Sequence, residues 1–137
     1  MIIMLRPAFL NGIAALAEFN LTYDLLLFPK HIPVALELVK KFPDQAFVVD
    51  HIAKPFIANA EFSPWKEDLN ELAKHPNVFC KLSGMVTEAK WRDWHEHDFS
   101  PYLDIVTESF GAGRLMIGSD WPVCTLSAGY AETMKIV

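Results

Sequence analysis

Residues 114–123 read RLMIGSDWPV, an apolar stretch that leads directly into Asp120, Trp121 and a proline. The run over 115–119 is typical of a buried strand. A carboxylate at the end of such a strand is costly to bury without partners. An N-cap stands next to its helix, and the next helix signal begins only near Ser127. We therefore expect Asp120 to point into the mouth of a sheet and not to cap a helix.

The same pattern of a short apolar run followed by a helical segment occurs three times upstream of this stretch. The runs that predict strands cover residues 21–28, 46–52 and 78–84. Alternation of strand and helix implies parallel strands with right-handed crossovers. Polar residues gather at the ends of the strands, as in (β/α) barrels, whose active sites lie there. An open doubly wound sheet places ligands similarly, but the Gly-rich phosphate loop that it usually carries is missing from the sequence.

The length of the chain indicates half of such a barrel. A complete barrel has eight strands in roughly 250 residues, whereas this sequence supplies four in 137 residues. The prediction is an α/β fold with one partial (β/α)-barrel domain over residues 1–137, comprising the last four βα units without the N-terminal half. The open edges of such a sheet favour self-association, or a second polypeptide that supplies the first half.

Composition narrows the class of protein further. The chain is 52% hydrophobic and 21% charged with a formal net charge of −5, which argues for a folded domain and against nucleic acid or a membrane as partner. Cys80 and Cys124 lack metal-type spacing and predict reduced core thiols of a cytoplasmic protein. Near the start, Phe9, Ile13 and Leu16 fall at helical spacing, which favours an amphipathic helix over a signal peptide.

His51 is the natural companion of Asp120. It ends the run FVVDH, where Phe47, Val49 and His51 share one face if the strand continues with a period of two. A lone strand histidine is usually structural, but two titratable groups at the ends of parallel strands project into one mouth. Such a pair can hold a divalent metal, or polarise a carbonyl while the aspartate takes a proton from water.

Charged residues within the predicted strands have two possible environments. Lys81 and Ser83 share a face of the third strand, and a lysine in an apolar strand must either meet an acid of the mouth or extend outwards between helices. Asp24, inside the first strand, presents the same alternatives.

The loop after the third strand contains Thr87, Glu88, Trp91 and Trp94, which either wall a pocket for a small polar molecule or pack the loop down. The run 95–97, His-Glu-His, has metal-ligand spacing, but it lies in a polar stretch before the next helix. We interpret it as a solvated helix entry.

Three segments, FVVDHIAKPFI, NVFCKLSGMVTEAKW and RLMIGSDWPV, together resemble the last strands of the amidohydrolase-related (amidohydrolase-2) family, in the branch of sugar lactonases such as fuconolactonase and rhamnonolactonase. The resemblance implies a distorted (β/α)₈ barrel that hydrolyses small molecules, often with a divalent metal, for which zinc is the expected ion. It implies that His51 binds the metal or the substrate carbonyl, and that Asp120 contributes to the metal site and activates water. It implies a substrate pocket lined by Lys81, Ser83, Thr87, Glu88, Trp91 and Trp121.

The sequence departs from the family at one point. Family members carry an H-x-H pair on their first strand, and no strand precedes Leu21 here to carry one. We therefore expect the chain alone to be inactive, although its ancestry implies hydrolysis of a small lactone. The alternatives are amide hydrolysis or decarboxylation of a small acid by the same mouth, and a non-catalytic half-barrel.

Overall fold

The computed structural model describes residues 3–137, and its centre is a four-stranded sheet. The strands are β1 (Tyr23–Leu25), β2 (Phe47–Val49), β3 (Val78–Leu82) and β4 (Leu115–Ile117). They lie in the order β1-β2-β3-β4, and every neighbouring pair is parallel. The prediction of four parallel strands in sequential order is confirmed.

A helix follows each strand, as the alternating sequence pattern predicts. The helix α1 (Pro7–Glu18) precedes the sheet, and the four helices that follow the strands are α2 (Ile32–Lys41), α3 (Trp65–Ala73), α4 (Glu96–Phe110) and α5 (Tyr130–Met134). The amphipathic helix expected near the N-terminus is α1, which buries Ile13. No helix among residues 3–137 is long and apolar enough to cross a membrane.

The two faces of the sheet differ in burial. Leu25, Val49 and Cys80 are in register on adjacent strands and are almost completely buried. Because successive side chains alternate, the opposite face carries Asp24 on β1 and Lys81 on β3. Both cysteines are buried and unpaired, which confirms the prediction of core thiols.

The strands are shorter than the apolar runs that predicted them. β2 ends at Val49, so the prediction that Phe47, Val49 and His51 share a strand face is wrong for His51, which lies in the turn that follows. Ser83 likewise lies beyond the end of β3 and does not share a strand face with Lys81. An apolar run indicates that its residues are buried, not that they belong to a strand. Here the chain stays buried in the turns that follow the last strand residues, so the apolar runs extend beyond the strands.

The helix α4 begins earlier than the sequence pattern suggests. The segment PYLDIVTESFG predicts a helix that starts at Pro101, but the helix begins at Glu96 and Pro101 lies inside it. The Asp98 carboxylate accepts a hydrogen bond of 2.8 Å from the His95 backbone N–H, which caps the start of the helix. The proline removes one backbone donor from the second turn without ending the helix.

Apolar side chains are exposed at both edges of the sheet. Ile117 on β4 is 60% exposed, and Leu26, just after β1, is 63% exposed. A cleft of about 520 Å³ beside β1 is lined mainly by apolar side chains, Leu26 and Val34 among them. Single exposed apolar residues are ordinary, but here they accompany two unpaired strand edges.

Candidate active site

A left-handed turn follows β2 and carries His51. Residues 51–54 all have positive φ, with values of 53°, 47°, 59° and 49°. The left-handed conformation costs roughly 1–2 kcal/mol per residue for non-glycine residues, and Ile52 is β-branched as well. The turn is held by burial of Ile52 and by a hydrogen bond of 2.7 Å from the Trp65 indole N–H to the Ile52 carbonyl. Strained backbone that persists in this way is concentrated at functional sites.

Two residues after β3 fix the position of the His51 ring. His51 Nδ1 lies 2.8 Å from Ser83 Oγ, within hydrogen-bond distance. Gly84, at φ +66°, packs directly against the ring, and a Cβ atom there would lie 2.6 Å from His51 Cβ. Ser83 is buried, so this contact holds the ring with Nε2 directed away from it. The glycine is therefore required both by its backbone conformation and by the space that the imidazole occupies.

Asp120 lies opposite His51 Nε2. Its Oδ1 is 3.5 Å from Nε2, and the exposed fractions of the His51 and Asp120 side chains are 18% and 14%. The Asp120 backbone is left-handed, with φ of 57°, a conformation that Asp tolerates better than most residues. Its backbone carbonyl accepts a hydrogen bond from Cys124 N–H, while α5 begins only after Gly129. The carboxylate thus caps no helix, and it faces the histidine across the ends of β2 and β4.

The separation of these two atoms suits a shared ligand. Two ligands of a tetrahedral zinc ion at ~2.0–2.1 Å lie about 3.4 Å apart. Imidazole nitrogen and carboxylate oxygen are both ordinary zinc ligands, so the pair fits such an ion. Catalytic zinc sites use three protein ligands. Among residues 3–137, no third His, Cys, Asp or Glu side chain joins this pair in a cluster that could hold an ion.

Lys81 adopts the first of its two alternatives and meets acids of the mouth. Its Nζ lies 3.0 Å from Asp24 Oδ2 and 2.6 Å from Asp50 Oδ1. The contact with Asp50 is an ion pair without hydrogen-bond geometry, since Oδ1 has no hydrogen-bond partner and is shielded from solvent. The Asp50 carboxylate, and then that of Asp24, raise the pKa of Lys81 against the opposing effect of its burial. The three charges form one network on the side of the sheet opposite the buried residues Leu25, Val49 and Cys80.

The loop after β3 has one charged contact with the mouth. Lys54 Nζ lies 3.1 Å from Glu88 Oε1, and both side chains are about four-fifths buried. The Thr87 hydroxyl donates to the Gly84 carbonyl, and the Thr87 carbonyl accepts a hydrogen bond from the Trp91 indole. These bonds fold the loop onto the end of β3. Lys54 was not singled out from the sequence, since nothing in the run HIAKP marks a left-handed turn.

The tryptophans of this region have different environments. Trp94 packs against Phe99 with ring centroids 5.2 Å apart and donates a hydrogen bond to Ser127 Oγ, so it holds the loop down. Trp91 and Trp121 are 54% and 66% exposed. Trp121 directly follows Asp120 in the sequence.

Four βα units with titratable side chains at the carboxyl ends of parallel strands define a class: half of a (β/α) barrel of the kind that carries active sites on that rim. The chain belongs to the amidohydrolase family, whose sequence profile, described as Amidohydrolase, matches residues 5–135.

Some of the relatives that the chain matches are named for lactone hydrolysis. The chain is 39% identical over 130 residues to an L-fucono-1,5-lactonase of Burkholderia ambifaria, covering 92% of this chain and 43% of that protein. It is 30% identical to an L-rhamnono-gamma-lactonase of Scheffersomyces stipitis, covering 73% and 34%. A crystal structure of a Burkholderia multivorans amidohydrolase with bound zinc superimposes with a TM-score of 0.87 at 39% identity, covering 96% and 48%. The chain therefore spans about half the length of such relatives or less.

Proposed function

We propose that this chain forms the acid-base half of an enzyme that hydrolyses a small lactone, such as a sugar lactone. The observation that carries the proposal is the contact of His51 Nε2 with Asp120 Oδ1 at 3.5 Å, at the ends of two parallel strands. The names of the relatives support a cyclic ester as substrate. Membership of the family would equally allow hydrolysis of an amide or decarboxylation of a small acid. The test below distinguishes these reactions from lactone hydrolysis.

In the proposed reaction Asp120 acts as the general base. Its carboxylate takes a proton from water while the water oxygen attacks the lactone carbonyl carbon. The ring C–O bond then breaks, and the protonated Asp120 returns the proton to the leaving oxygen, which yields a hydroxy acid. His51, held at Nδ1 by Ser83, directs Nε2 towards the reacting group and polarises the carbonyl.

A divalent metal, with zinc the expected ion, would be held by His51 Nε2 and Asp120 Oδ1. Such an ion lowers the pKa of bound water and polarises carbonyl groups. The Nδ1 contact with Ser83 is the kind of support that orients a ligating histidine. In this proposal the described residues contribute two ligands, and the remaining protein ligand is supplied from outside residues 3–137.

We propose that six side chains on β3 and in the segments that follow β3 and β4 contact the substrate: Lys81, Ser83, Thr87, Glu88, Trp91 and Trp121. Support comes from the exposure of the two tryptophans, because an exposed indole can stack against a sugar ring. The ammonium of Lys81, already bound to Asp24 and Asp50, supplies a donor in a network that is otherwise acceptor-rich.

We propose that the open sheet edges pair with further βα units, supplied by another copy of this chain or by the half that the longer relatives contain. Support comes from the exposed Ile117 and Leu26 at opposite edges and from the coverage of about half of each relative. Light scattering checks self-association: a dimer or larger species is expected, and a stable monomer favours pairing with the half that the longer relatives contain.

We also propose a reducing, cytoplasmic location, which the two unpaired thiols support.

The test of the function is a chimera in which this chain replaces the matching part of the Burkholderia ambifaria lactonase. A panel of sugar lactones, small amides and carboxylic acids is assayed, with a pH indicator for acid release and separate detection of amine and carbon dioxide. Acid release from at least one lactone is expected. A folded chimera that cleaves only an amide or releases only carbon dioxide would contradict the lactone assignment, and one that is inert on the whole panel would support the non-catalytic half-barrel.

A further inference from the structure

A second cluster of metal-ligating side chains lies at the start of α4, apart from the His51–Asp120 pair. His95, His97 and Asp98 each offer one ligand atom, and these three atoms lie within 4.8 Å of one another. Among the residues that the structure describes, this is the one group of three His, Cys, Asp or Glu side chains with that geometry. The proposed function uses none of the three. The sequence alone favours a solvated helix entry for residues 95–97, and the different interpretation below rests on how the folded chain brings these side chains together.

The backbone brings the three side chains to one side. His95 is extended, with φ −126° and ψ 155°, and the helix starts at the next residue. This change of direction places the two imidazoles face to face, with ring centroids 5.3 Å apart and an interplanar angle of 25°. Asp98 uses Oδ2 to accept the His95 backbone N–H, while its Oδ1 faces His97 Nε2 at 3.5 Å. One carboxylate oxygen therefore holds the cap, and the other lies beside an imidazole nitrogen.

We propose that His95, His97 and Asp98 bind a divalent transition-metal ion such as Zn²⁺, with two imidazole nitrogens and one carboxylate oxygen as protein ligands. Two ligands of a tetrahedral zinc lie about 3.4 Å apart, so no pair of these atoms has to close by more than roughly 1.4 Å. The His97 side chain is 79% exposed, which leaves its ring free to rotate by that amount. Asp93 and Lys90 line the same surface cavity as His95 and Asp98, so their opposite charges offset each other there.

A bound ion would fix the junction between the loop after β3 and α4. Trp94 immediately precedes His95 and packs against Phe99 in the first turn of the helix. An ion joining residues on both sides of the helix start would restrict this segment, so the ion is expected to raise the melting temperature. It is also expected to change the fluorescence of Trp94.

Calorimetric titration of the chain with Zn²⁺ tests the proposal, with His97→Ala as the diagnostic variant and Glu96→Gln as the matched control. Since loss of even an indirect metal contact costs 10–100-fold in affinity, His97→Ala should weaken one binding event at least about tenfold. Glu96→Gln should leave that event unchanged. His51→Gln separates this site from the proposed catalytic pair, and it should leave the event intact.

The proposal is overturned if His97→Ala binds Zn²⁺ as the parent chain does, or if the parent chain shows no binding. It is also overturned if His51→Gln alone abolishes the binding. The thermal shift gives a second measurement: added Zn²⁺ should raise the melting temperature of the parent chain and of Glu96→Gln, but not that of His97→Ala.

Discussion

Replacing Gly84 by alanine should destabilise the chain through the His51 ring. The new Cβ atom would lie 2.6 Å from His51 Cβ, whereas ordinary contacts begin at 3.4 Å, so the atoms must separate by 0.8 Å (3.4 − 2.6). The φ of +66° adds a backbone cost of roughly 1–2 kcal/mol for any residue with a Cβ. Overpacking of this kind costs about 1–3 kcal/mol. Together these give a loss of about 2–5 kcal/mol in the free energy of unfolding.

The measurement is urea unfolding followed by circular dichroism, with Gly118→Ala as the matched control. A Cβ at Gly118 would meet Ser83 Cβ at 3.4 Å, an ordinary contact, and its backbone needs no positive φ. That variant should therefore change stability by no more than about 0.5 kcal/mol. Equal stability of the two alanine variants would refute the claim that Gly84 is required by the packing of the His51 ring.

Two further predictions concern the charges and thiols around the sheet. Lys81→Met should lower the free energy of unfolding by about 1–3 kcal/mol at neutral pH, because Asp50 keeps a buried carboxylate oxygen without its cation. The pKa of Lys81 is raised above 10.5 in the folded chain, so the stabilisation by the ion pair is complete below pH 10.5 and is lost as the pH rises through the folded pKa. The difference in stability between the parent and Lys81→Met should therefore shrink at high pH. A difference that is independent of pH would contradict the ion pair. Burial raises the pKa of the Cys80 thiol, and Cys124 is fully buried. A chromogenic disulfide reagent should therefore react with neither thiol in the folded chain and with both in denaturant. Rapid reaction of the native chain would instead show that a thiol lies at the surface.

The order and direction of the strands could be predicted from the sequence because they depend on few features. Four apolar runs separated by helical segments allow little besides a parallel sheet with crossovers. The polar residues that follow these runs indicate that the site lies at the carboxyl ends of the strands. Asp120 was predictable for the same reason. Its distance from the next helix signal removes the capping alternative, and the structure shows its carboxylate facing His51.

The orientation of His51 depended on information that the sequence does not display. The strand was expected to continue through residue 52, but the chain leaves β2 after Val49 and makes a left-handed turn. Such turns usually contain Gly or Asn, and the run HIAK contains neither. The turn is stabilised by a hydrogen bond from the Trp65 indole, 13 residues away in the sequence, and by burial of its own Ile52 side chain in the core. The partners of Lys81 and Lys54 likewise come from other βα units, so only the folded chain shows them.

The most direct test of the account is the turnover of Asp120→Asn in the lactonase chimera. Asparagine is nearly isosteric with aspartate but cannot take a proton from water, so kcat should fall by about 10²–10⁴-fold. Circular dichroism and the urea midpoint should stay close to those of the parent chimera, because the carboxylate caps no helix. A folded Asp120→Asn chimera that hydrolyses the lactone at the parent rate would contradict the role of Asp120 as the general base.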